Sequence, residues 1–199
     1  LTGFLVWVQF IQEMPLITFF GYSISDNPII VGPLFVFWFV GIVNAVNLID
    51  GMDGLAGGYI FLTSFFALII GWITGNKDFI YFNTIFMGAM AAFLYFNQRP
   101  AKFFMGDSGS LLLGFHLAVL PLLYFATMPS KQIINMTPFI ILSSYLIIDT
   151  TRVFYDRLKK RMHPLEPDQN HLHHLLYNST GSYKGTLLTI FIYLSIFGV

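Results

Sequence analysis

Residues 31–74 read VGPLFVFWFVGIVNAVNLID, GMDG and LAGGYIFLTSFFALIIGWIT, which are two apolar runs joined by a short loop of glycine and aspartate. The runs, at about 31–49 and 55–74, each come close to the roughly 20 apolar residues that a helix needs to cross a bilayer. Similar windows lie at about 1–20, 79–97, 110–128, 136–155 and 185–199. They lack the alternation typical of a barrel. The sequence therefore predicts an all-α fold, a polytopic transmembrane helical bundle with six or seven spans.

The composition supports a membrane protein. Only 10% of the 199 residues are charged, 56% are hydrophobic and mean hydropathy is +0.70, whereas a soluble domain carries roughly 25% charged residues. The net charge is zero, which argues against the broad basic surface of a nucleic-acid-binding protein. The absence of cysteine excludes disulfides and thiol nucleophiles. We interpret residues 1–199 as a single membrane domain in the lipid bilayer. Both ends lie in apolar runs, so we expect a part of a longer polytopic protein.

Lysine and arginine divide the connections between spans into two alternating sets. Eight of the ten basic residues fall in or near the loops at about 50–54, 98–109 and 152–184. The other two fall in the loops at about 21–30, 75–78 and 129–135. The positive-inside rule predicts that the first set faces the cytoplasm. That face also holds seven carboxylates: Asp50, Asp53, Asp107, Asp149, Asp156, Glu166 and Asp168. We therefore expect a site there that needs carboxylates beside cations.

The first cytoplasmic motif is NAVNLIDGMDGLAGG at residues 44–58. Asn44 and Asn47 are three residues apart at the end of a span, so their amides share one helix face. The glycines that follow break the helix and let the backbone approach a ligand closely. Two carboxylates, Asp50 and Asp53, together with an amide suit a hard cation such as Mg²⁺. The alternative is a polar interfacial loop in which these side chains cap helices.

The second motif is FFMGDSGS at residues 103–110, directly before an apolar span. Glycine and serine at a helix start expose backbone N–H groups at the positive end of the helix dipole, which favours a phosphate. Asp107 would ligate a metal that bridges to that phosphate, and one of Phe103 and Phe104 would stack on a base. The alternative is that Asp107 or Ser108 only caps the span.

The third motif runs from Arg152 to His174 and ends in PDQNHLHH. Three histidines within four residues suit either a transition metal or an anionic phosphate, to which Arg152 and Arg157 would add charge. No cysteine supports a zinc site, so we favour phosphate binding or proton transfer. Asp149 precedes Arg152 by three residues, and we expect it to orient that arginine.

Together, in this order and spacing, the three motifs resemble those of the polyprenyl-phosphate N-acetylhexosamine-1-phosphate transferases (glycosyltransferase family 4) over about residues 31–176. The pattern is most similar to the bacterial undecaprenyl-phosphate GlcNAc-1-phosphate transferases. The resemblance implies a multi-pass enzyme of the bacterial cytoplasmic membrane with its active site on the cytoplasmic face. Such an enzyme moves a sugar 1-phosphate from a UDP-N-acetylhexosamine to undecaprenyl phosphate, releases UMP and initiates cell-envelope polysaccharide synthesis. It also implies Mg²⁺, with Mn²⁺ as a substitute, and allows a homodimer.

The resemblance assigns roles to residues at matching positions. The metal ligands would be Asn47 and Asp107. The catalytic set would be Asp50, Asp53, Asp107, His171, His173 and His174, the histidines acting on the diphosphate. The substrate-binding set would be Asn44, Asp53, Asn97, Phe104, Arg152 and Arg157.

Two further features bear on the alternatives. Phospho-MurNAc-pentapeptide transferases typically have a run of adjacent histidines, whereas this chain has His-Leu-His-His, which favours a UDP-N-acetylhexosamine donor. The family also carries an adjacent Asp-Asp pair on an earlier cytoplasmic loop, and these 199 residues contain none. The pair would precede Leu1, so we expect the full-length protein to be active and this segment alone to be inactive.

A membrane transporter is the alternative from another functional class. Transporters usually set ionisable residues near the bilayer midplane, and here Glu13 and His116 are the main exceptions to the clustering at one face. We expect His116, which lies two turns inside its span, to make a hydrogen bond between helices.

Overall fold

The computed structural model describes residues 16–25, 27–128, 133–161 and 171–198. Its helices are α1 Pro28–Ile49, α2 Leu55–Thr74, α3 Lys77–Asn97, α4 Gly106–Thr127, α5 Thr137–Leu142, α6 Ser144–Lys159, α7 Leu172–Thr180 and α8 Tyr183–Phe197. Its strands are β1 Leu16–Phe19, β2 Tyr22–Ser25 and β3 Ile133–Asn135. The predicted class, a polytopic helical membrane protein, is confirmed, with a small sheet added to it.

Helices α1 to α4 are the four described helices that are long and apolar enough to cross a membrane. The prediction of six or seven spans included two further windows in the described part of the chain, which do not form long apolar helices. One of them, at about 136–155, is divided at Ser143 into α5 and α6. The Tyr59 hydroxyl of α2 donates to the Leu142 carbonyl at this break, 2.6 Å away, and so satisfies a backbone group that an unbroken helix would use. The other is α8, an apolar helix of 15 residues.

Local signals set the ends of the long helices. The Asn27 side chain accepts from the Ile29 N–H at the start of α1. Gly54 and Gly75, with φ of +77° and +69°, flank α2 at its two ends, a conformation that glycine adopts at little cost. Asn76 then caps α3 by accepting from the Phe79 N–H at 3.1 Å. These short connections return the chain directly, so that neighbouring helices run in opposite directions.

The long helices pack in pairs, α1 against α4 and α2 against α3. At Gly114 the α4 backbone meets α1 so closely that an added Cβ would lie 2.7 Å from the Val43 Cα. His116 of α4 lies 3.0 Å from the Ser64 hydroxyl of α2, ring nitrogen to oxygen, and its ring stacks on Phe86. This confirms the predicted hydrogen bond between helices.

The two predicted sets of loops lie at opposite ends of the bundle. At one end, β1 pairs antiparallel with β2 and parallel with β3, which joins the loops near 21–30 and 129–135. At the same end, the Asn76 amide donates to the Thr127 hydroxyl, 2.8 Å away. We call this the sheet end. The charged end is the opposite one, formed by residues 50–54, 97–110, 149–161 and 171–184.

The sheet corrects the C-terminal end of the apolar window predicted at about 1–20. Residues 16–19 form a strand that turns back at Phe20 and Gly21, both with positive φ. The segments LITF and YSIS are rich in the β-branched and aromatic residues that favour strands. The first 15 residues, including Glu13, lie outside the described residues.

Candidate active site at the charged end of the bundle

Three aspartates lie together at the charged end. Asp50 ends α1, Asp53 lies in the loop to α2, and Asp107 lies in the first turn of α4. Burial and the charges of Asp107 and Asp53, in that order, raise the pKa of half-buried Asp50 from 3.8 to about 6. Within the described ranges, no lysine or arginine forms an ion pair with any of the three. The cluster therefore carries excess negative charge, which a cation would offset.

Asn97, the last residue of α3, holds the loop that carries Asp53. Its Oδ1 accepts from the Gly54 N–H at 2.7 Å and its Nδ2 donates to the Phe103 carbonyl at 2.8 Å. The Asp53 carboxylate in turn accepts from the Ala101 N–H at 3.3 Å. Asn97 is buried, and both of its amide atoms bind backbone. The structure thus gives Asn97 a position in the frame of the site, and its role in substrate binding stays a prediction.

Asn47 and Asp107, the pair predicted to ligate a metal, are linked through Ser110. The Asn47 Nδ2 donates to the Ser110 hydroxyl at 2.7 Å, and that hydroxyl donates to the Asp107 backbone carbonyl at 3.1 Å. The first bond orients the amide and uses its nitrogen. The side-chain oxygen of Asn47 is therefore the atom left for another ligand.

The histidine motif is attached to α6 through Asp149. The Nδ1 atom of His171 lies 2.8 Å from one carboxylate oxygen of Asp149, and the Leu172 N–H donates to the other at 2.8 Å. His173 is fully buried, and its ring centroid lies 4.2 Å from that of His174. Burial lowers the pKa of His173 to about 4, so this imidazole is uncharged at neutral pH.

Gly51 joins the histidines to the aspartate loop. A Cβ built on Gly51 would lie 2.9 Å from the Nε2 atom of His173 and 3.7 Å from that of His174. Neither ring nitrogen of His173 has a hydrogen-bond partner in the described part of the chain. Buried polar groups are nearly always paired, so these nitrogens are available to a ligand that enters between the two groups.

The two arginines of the third motif lie on α6. Arg152 contacts Asp149 at 3.5 Å and Asp156 at 3.3 Å, which confirms the expected pairing of Asp149 with this arginine. Arg157 is buried further along the helix. Both arginines share their helix with the residue that holds His171, and their contacts with substrate stay predictions.

The other two residues predicted to bind substrate, Phe104 and Asn44, are exposed. Phe104 is 71% exposed beside the start of α4. Asn44 is exposed, and its amide donates to the Val40 carbonyl of its own helix. No hydrogen bond or ion pair in the described ranges joins Asn44 to the other predicted residues. Residues 167–170 of the histidine motif lie outside the described residues.

Several contacts of the site could not be read from the sequence motifs. Asp149 holds His171 as well as Arg152, and its only sequence signal is a carboxylate inside the apolar run YLIIDTT. The Tyr183 hydroxyl donates to the Asp53 carbonyl, and the Arg99 guanidinium lies 4.3 Å from the Tyr183 ring centroid. Tyr183 had no signal, because it lies 130 residues from Asp53 at the start of an apolar helix.

The residues present fit a magnesium ion with an open coordination shell. No group of three or more histidine, aspartate or glutamate side chains in the described ranges forms a metal site by itself. Mg²⁺ usually takes only one or two carboxylates from a protein and completes its shell with water and substrate phosphates. The Asn47 oxygen, the Asp107 carboxylate and the raised pKa of Asp50 are consistent with such an ion.

A family model for glycosyl transferase family 4 matches residues 2–125, which include the first two motifs. The chain belongs to this family. The match covers more than half of the chain, and the resemblance inferred from the motifs is thereby confirmed.

Several curated proteins are similar to this chain. A probable undecaprenyl-phosphate N-acetylglucosaminyl 1-phosphate transferase of Bacillus subtilis is 35% identical, over 84% of this chain and 46% of its own length. An undecaprenyl-phosphate α-N-acetylglucosaminyl 1-phosphate transferase of Thermotoga maritima is 34% identical, over 78% of this chain and 46% of its own length. A phospho-N-acetylmuramoyl-pentapeptide-transferase of Clostridium perfringens is 33% identical, over 90% of this chain and 56% of its own length. The chain thus spans about half the length of the curated relatives it matches.

Proposed function

We propose that the protein that contains this chain transfers N-acetylhexosamine 1-phosphate, most simply GlcNAc 1-phosphate, from a UDP-sugar to undecaprenyl phosphate and releases UMP. The observation that carries the proposal is the meeting of the three motifs at one end of an apolar helical bundle, with the aspartate loop against the histidines at Gly51. The names of two similar proteins support the same activity. The charged end would face the cytoplasm of a bacterium, where UDP-sugars are found.

The two halves of the site suit two parts of the reaction. The aspartate half would hold Mg²⁺, or Mn²⁺ in its place, through Asn47 and Asp107, and the ion would offset negative charge on the phosphates. Asn97 fixes the loop that carries Asp53. Phe104 is exposed three residues before Asp107, and we propose that its ring contacts the uracil base. The histidine half, with Arg152 and Arg157 on α6, would bind the diphosphate.

The reaction itself joins two anions. An oxygen of the lipid phosphate attacks the β-phosphorus of the UDP-sugar, a new P–O bond forms, and the bond to the bridging oxygen breaks as UMP leaves. The main barrier is repulsion, so donors held in place beforehand lower it most effectively. We favour direct attack over an aspartyl intermediate. The position at a bundle end suits the reaction, since one substrate is dissolved in water and the other in the bilayer.

The test uses the full-length protein with UDP-GlcNAc, undecaprenyl phosphate and Mg²⁺, and UMP release as the readout. We expect Asp107→Asn to lose turnover by about 100-fold or more, as removal of a group that stabilises the transition state does. Asp78→Asn removes an exposed aspartate at the sheet end and is the matched control. Turnover at the wild-type rate in Asp107→Asn, or no UMP release by the wild type, would refute the proposal.

Phospho-MurNAc-pentapeptide transfer is a second candidate, which the Clostridium relative favours. The same assay with UDP-MurNAc-pentapeptide in place of UDP-GlcNAc separates the two candidates. The His-Leu-His-His sequence leads us to expect turnover with UDP-GlcNAc only.

A further inference from the structure

Asp149 is a carboxylate enclosed in the bundle. It lies on α6 with 1% of its surface exposed, after the apolar residues Leu146, Ile147 and Ile148. Removing a carboxylate from water is costly, and such a charge persists only where its partners are well placed. In a membrane protein an enclosed ionisable residue of this kind points to a function.

The partners of Asp149 show which group it serves. His171 is its shortest side-chain contact, at 2.8 Å, and Arg152 is further away at 3.5 Å and shared with Asp156. The second carboxylate oxygen accepts from the Leu172 N–H at 2.8 Å. A backbone donor and a guanidinium both favour the ionised carboxylate. An ionised carboxylate only accepts hydrogen bonds, so the Nδ1 atom of His171 carries the proton and donates it.

The carboxylate therefore decides what the other ring nitrogen of His171 can do. With Nδ1–H committed to Asp149, the Nε2 atom is the one left for a ligand. The ring of His173 lies almost parallel to that of His171, at an interplanar angle of 12°. His173 makes no hydrogen bond to His171 in the described part of the chain, so Asp149 is the group that sets the position of the His171 proton.

A purely structural role explains these contacts less well. Asp149 also caps the start of α7 through the Leu172 N–H, but a neutral asparagine or serine caps a helix equally well. A neutral cap would avoid the desolvation cost of a charge. The feature that only the carboxylate supplies is a partner that accepts hydrogen bonds and never donates one, which keeps the proton of His171 on Nδ1.

We propose that Asp149 is a positioning residue that fixes the proton of His171 on Nδ1 and so leaves its Nε2 atom available to the substrate at the diphosphate. This rests on the proposed function, because the diphosphate is the group beside which that ring atom would act. The predicted consequence is a loss of kcat with little change in the affinity for UDP-sugar, since the atom that the ring presents matters most as charge is redistributed in the reaction.

The kinetic test is a double-mutant cycle in the full-length protein with Asp149→Asn and His171→Ala. Asparagine keeps the shape and the cap of α7, but its Nδ2–H meets the Nδ1 atom of His171 and forces the other tautomer. We expect each single variant to lose about 100-fold in kcat, and the double variant to match His171→Ala within about threefold. Asp156→Asn, which removes the other partner of Arg152 on the same helix, is the matched control and should keep the wild-type kcat.

Three measurements separate failure of this proposal from failure of the proposed function. Binding of UDP-GlcNAc in Mg²⁺ reports whether each variant is folded, and Asp149→Glu, which restores the charge, should recover part of the kcat lost in Asp149→Asn. Nitrogen-15 NMR of labelled histidine, assigned with His171→Ala, should show the proton on Nδ1 in the wild type and on Nε2 in Asp149→Asn.

The results that overturn the proposal are a wild-type kcat in Asp149→Asn, losses that multiply in the double variant, or an unchanged His171 tautomer. A wild-type protein that releases no UMP refutes the proposed function instead, and the NMR result then still decides whether Asp149 sets the protonated nitrogen.

Discussion

The raised pKa of Asp50 makes the stability of the protein depend on pH and on divalent cations. In the unfolded chain this carboxyl titrates near 3.8, and in the folded protein it titrates near 6. Below pH 3.8 both states hold the proton. As pH rises from about 4 to about 6, the unfolded state loses the proton first, so Asp50 contributes less stability and its contribution is lost above pH 6.

The perturbation is Asp50→Asn in the full-length protein, with EDTA present. A shift of about two units corresponds to at most about 3 kcal/mol, at roughly 1.4 kcal/mol per unit. Asp50 is only half-buried and solvent screens its neighbours, so about 1 kcal/mol is the magnitude to expect. At pH 8 the variant should be more stable than the wild type by this amount, and at pH 4, close to the unfolded pKa, most of that difference should be gone. Mg²⁺ should remove the advantage at pH 8, because the ion offsets the same repulsion.

The assay is chemical unfolding in mixed detergent micelles, followed by circular dichroism at the two pH values, with and without Mg²⁺. Asp78→Asn at the sheet end is the matched control and should show no such pattern. Equal stability of the wild type and Asp50→Asn at pH 8 without the cation would refute the electrostatic account of the aspartate cluster. An advantage that Mg²⁺ leaves intact would refute the cation site but not the repulsion.

Three further changes have expected outcomes in the same unfolding assay. His173→Gln should become more stable relative to the wild type as pH falls from 6.5 to about 4, by up to about 3 kcal/mol in the free energy of unfolding. The reason is that the histidine of the unfolded wild type takes up a proton, whereas the buried ring stays uncharged. A stability difference that does not change with pH would contradict this. Gly114→Ala should lower the free energy of unfolding by about 1–3 kcal/mol, because the new Cβ meets the backbone of α1. Gly88→Ala is the control, because open space surrounds that position. Asn97→Ala should lower the free energy of unfolding by about 2–3 kcal/mol, because it leaves two backbone groups unpaired. A loss no larger than that of Asp78→Asn would show that Asn97 does not hold the loop that carries Asp53.

The long helices could be predicted because the bilayer fixes their length. The windows at about 31–49, 55–74 and 79–97 agree with α1 to α3 within a few residues. The division of the loops into two sets was also predictable. Successive loops alternate between the two ends of the bundle, so one misjudged span would have scattered the basic residues over both sets. The sheet brings together loops of one set, and the contact of Gly51 with His173 brings together loops of the other.

The rest depended on contacts that a local pattern does not contain. The average hydropathy of residues 136–155 is the same whether the helix is continuous or broken, and the hydroxyl that satisfies the break at Ser143 comes from Tyr59 in another helix. The resemblance assigned Asn97 to substrate binding, and a match in motif position does not show which groups the amide binds. Its burial and its two backbone partners favour the frame of the site.

The zero net charge of the chain hides a separation that matters for the chemistry. The aspartates on the α1–α2 loop and α4 form a negative half, and the histidines and arginines of α6 and α7 form the half that can donate to anions. Gly51 lies where the halves meet, at a contact where a Cβ would approach His173 Nε2 to 2.9 Å. A side chain at that position would require the His173 ring to shift, so this glycine is favoured by close approach and not by an unusual φ. A cation in the negative half and phosphates against the histidines would then be neighbours, which is the arrangement that the proposed transfer between two phosphates needs.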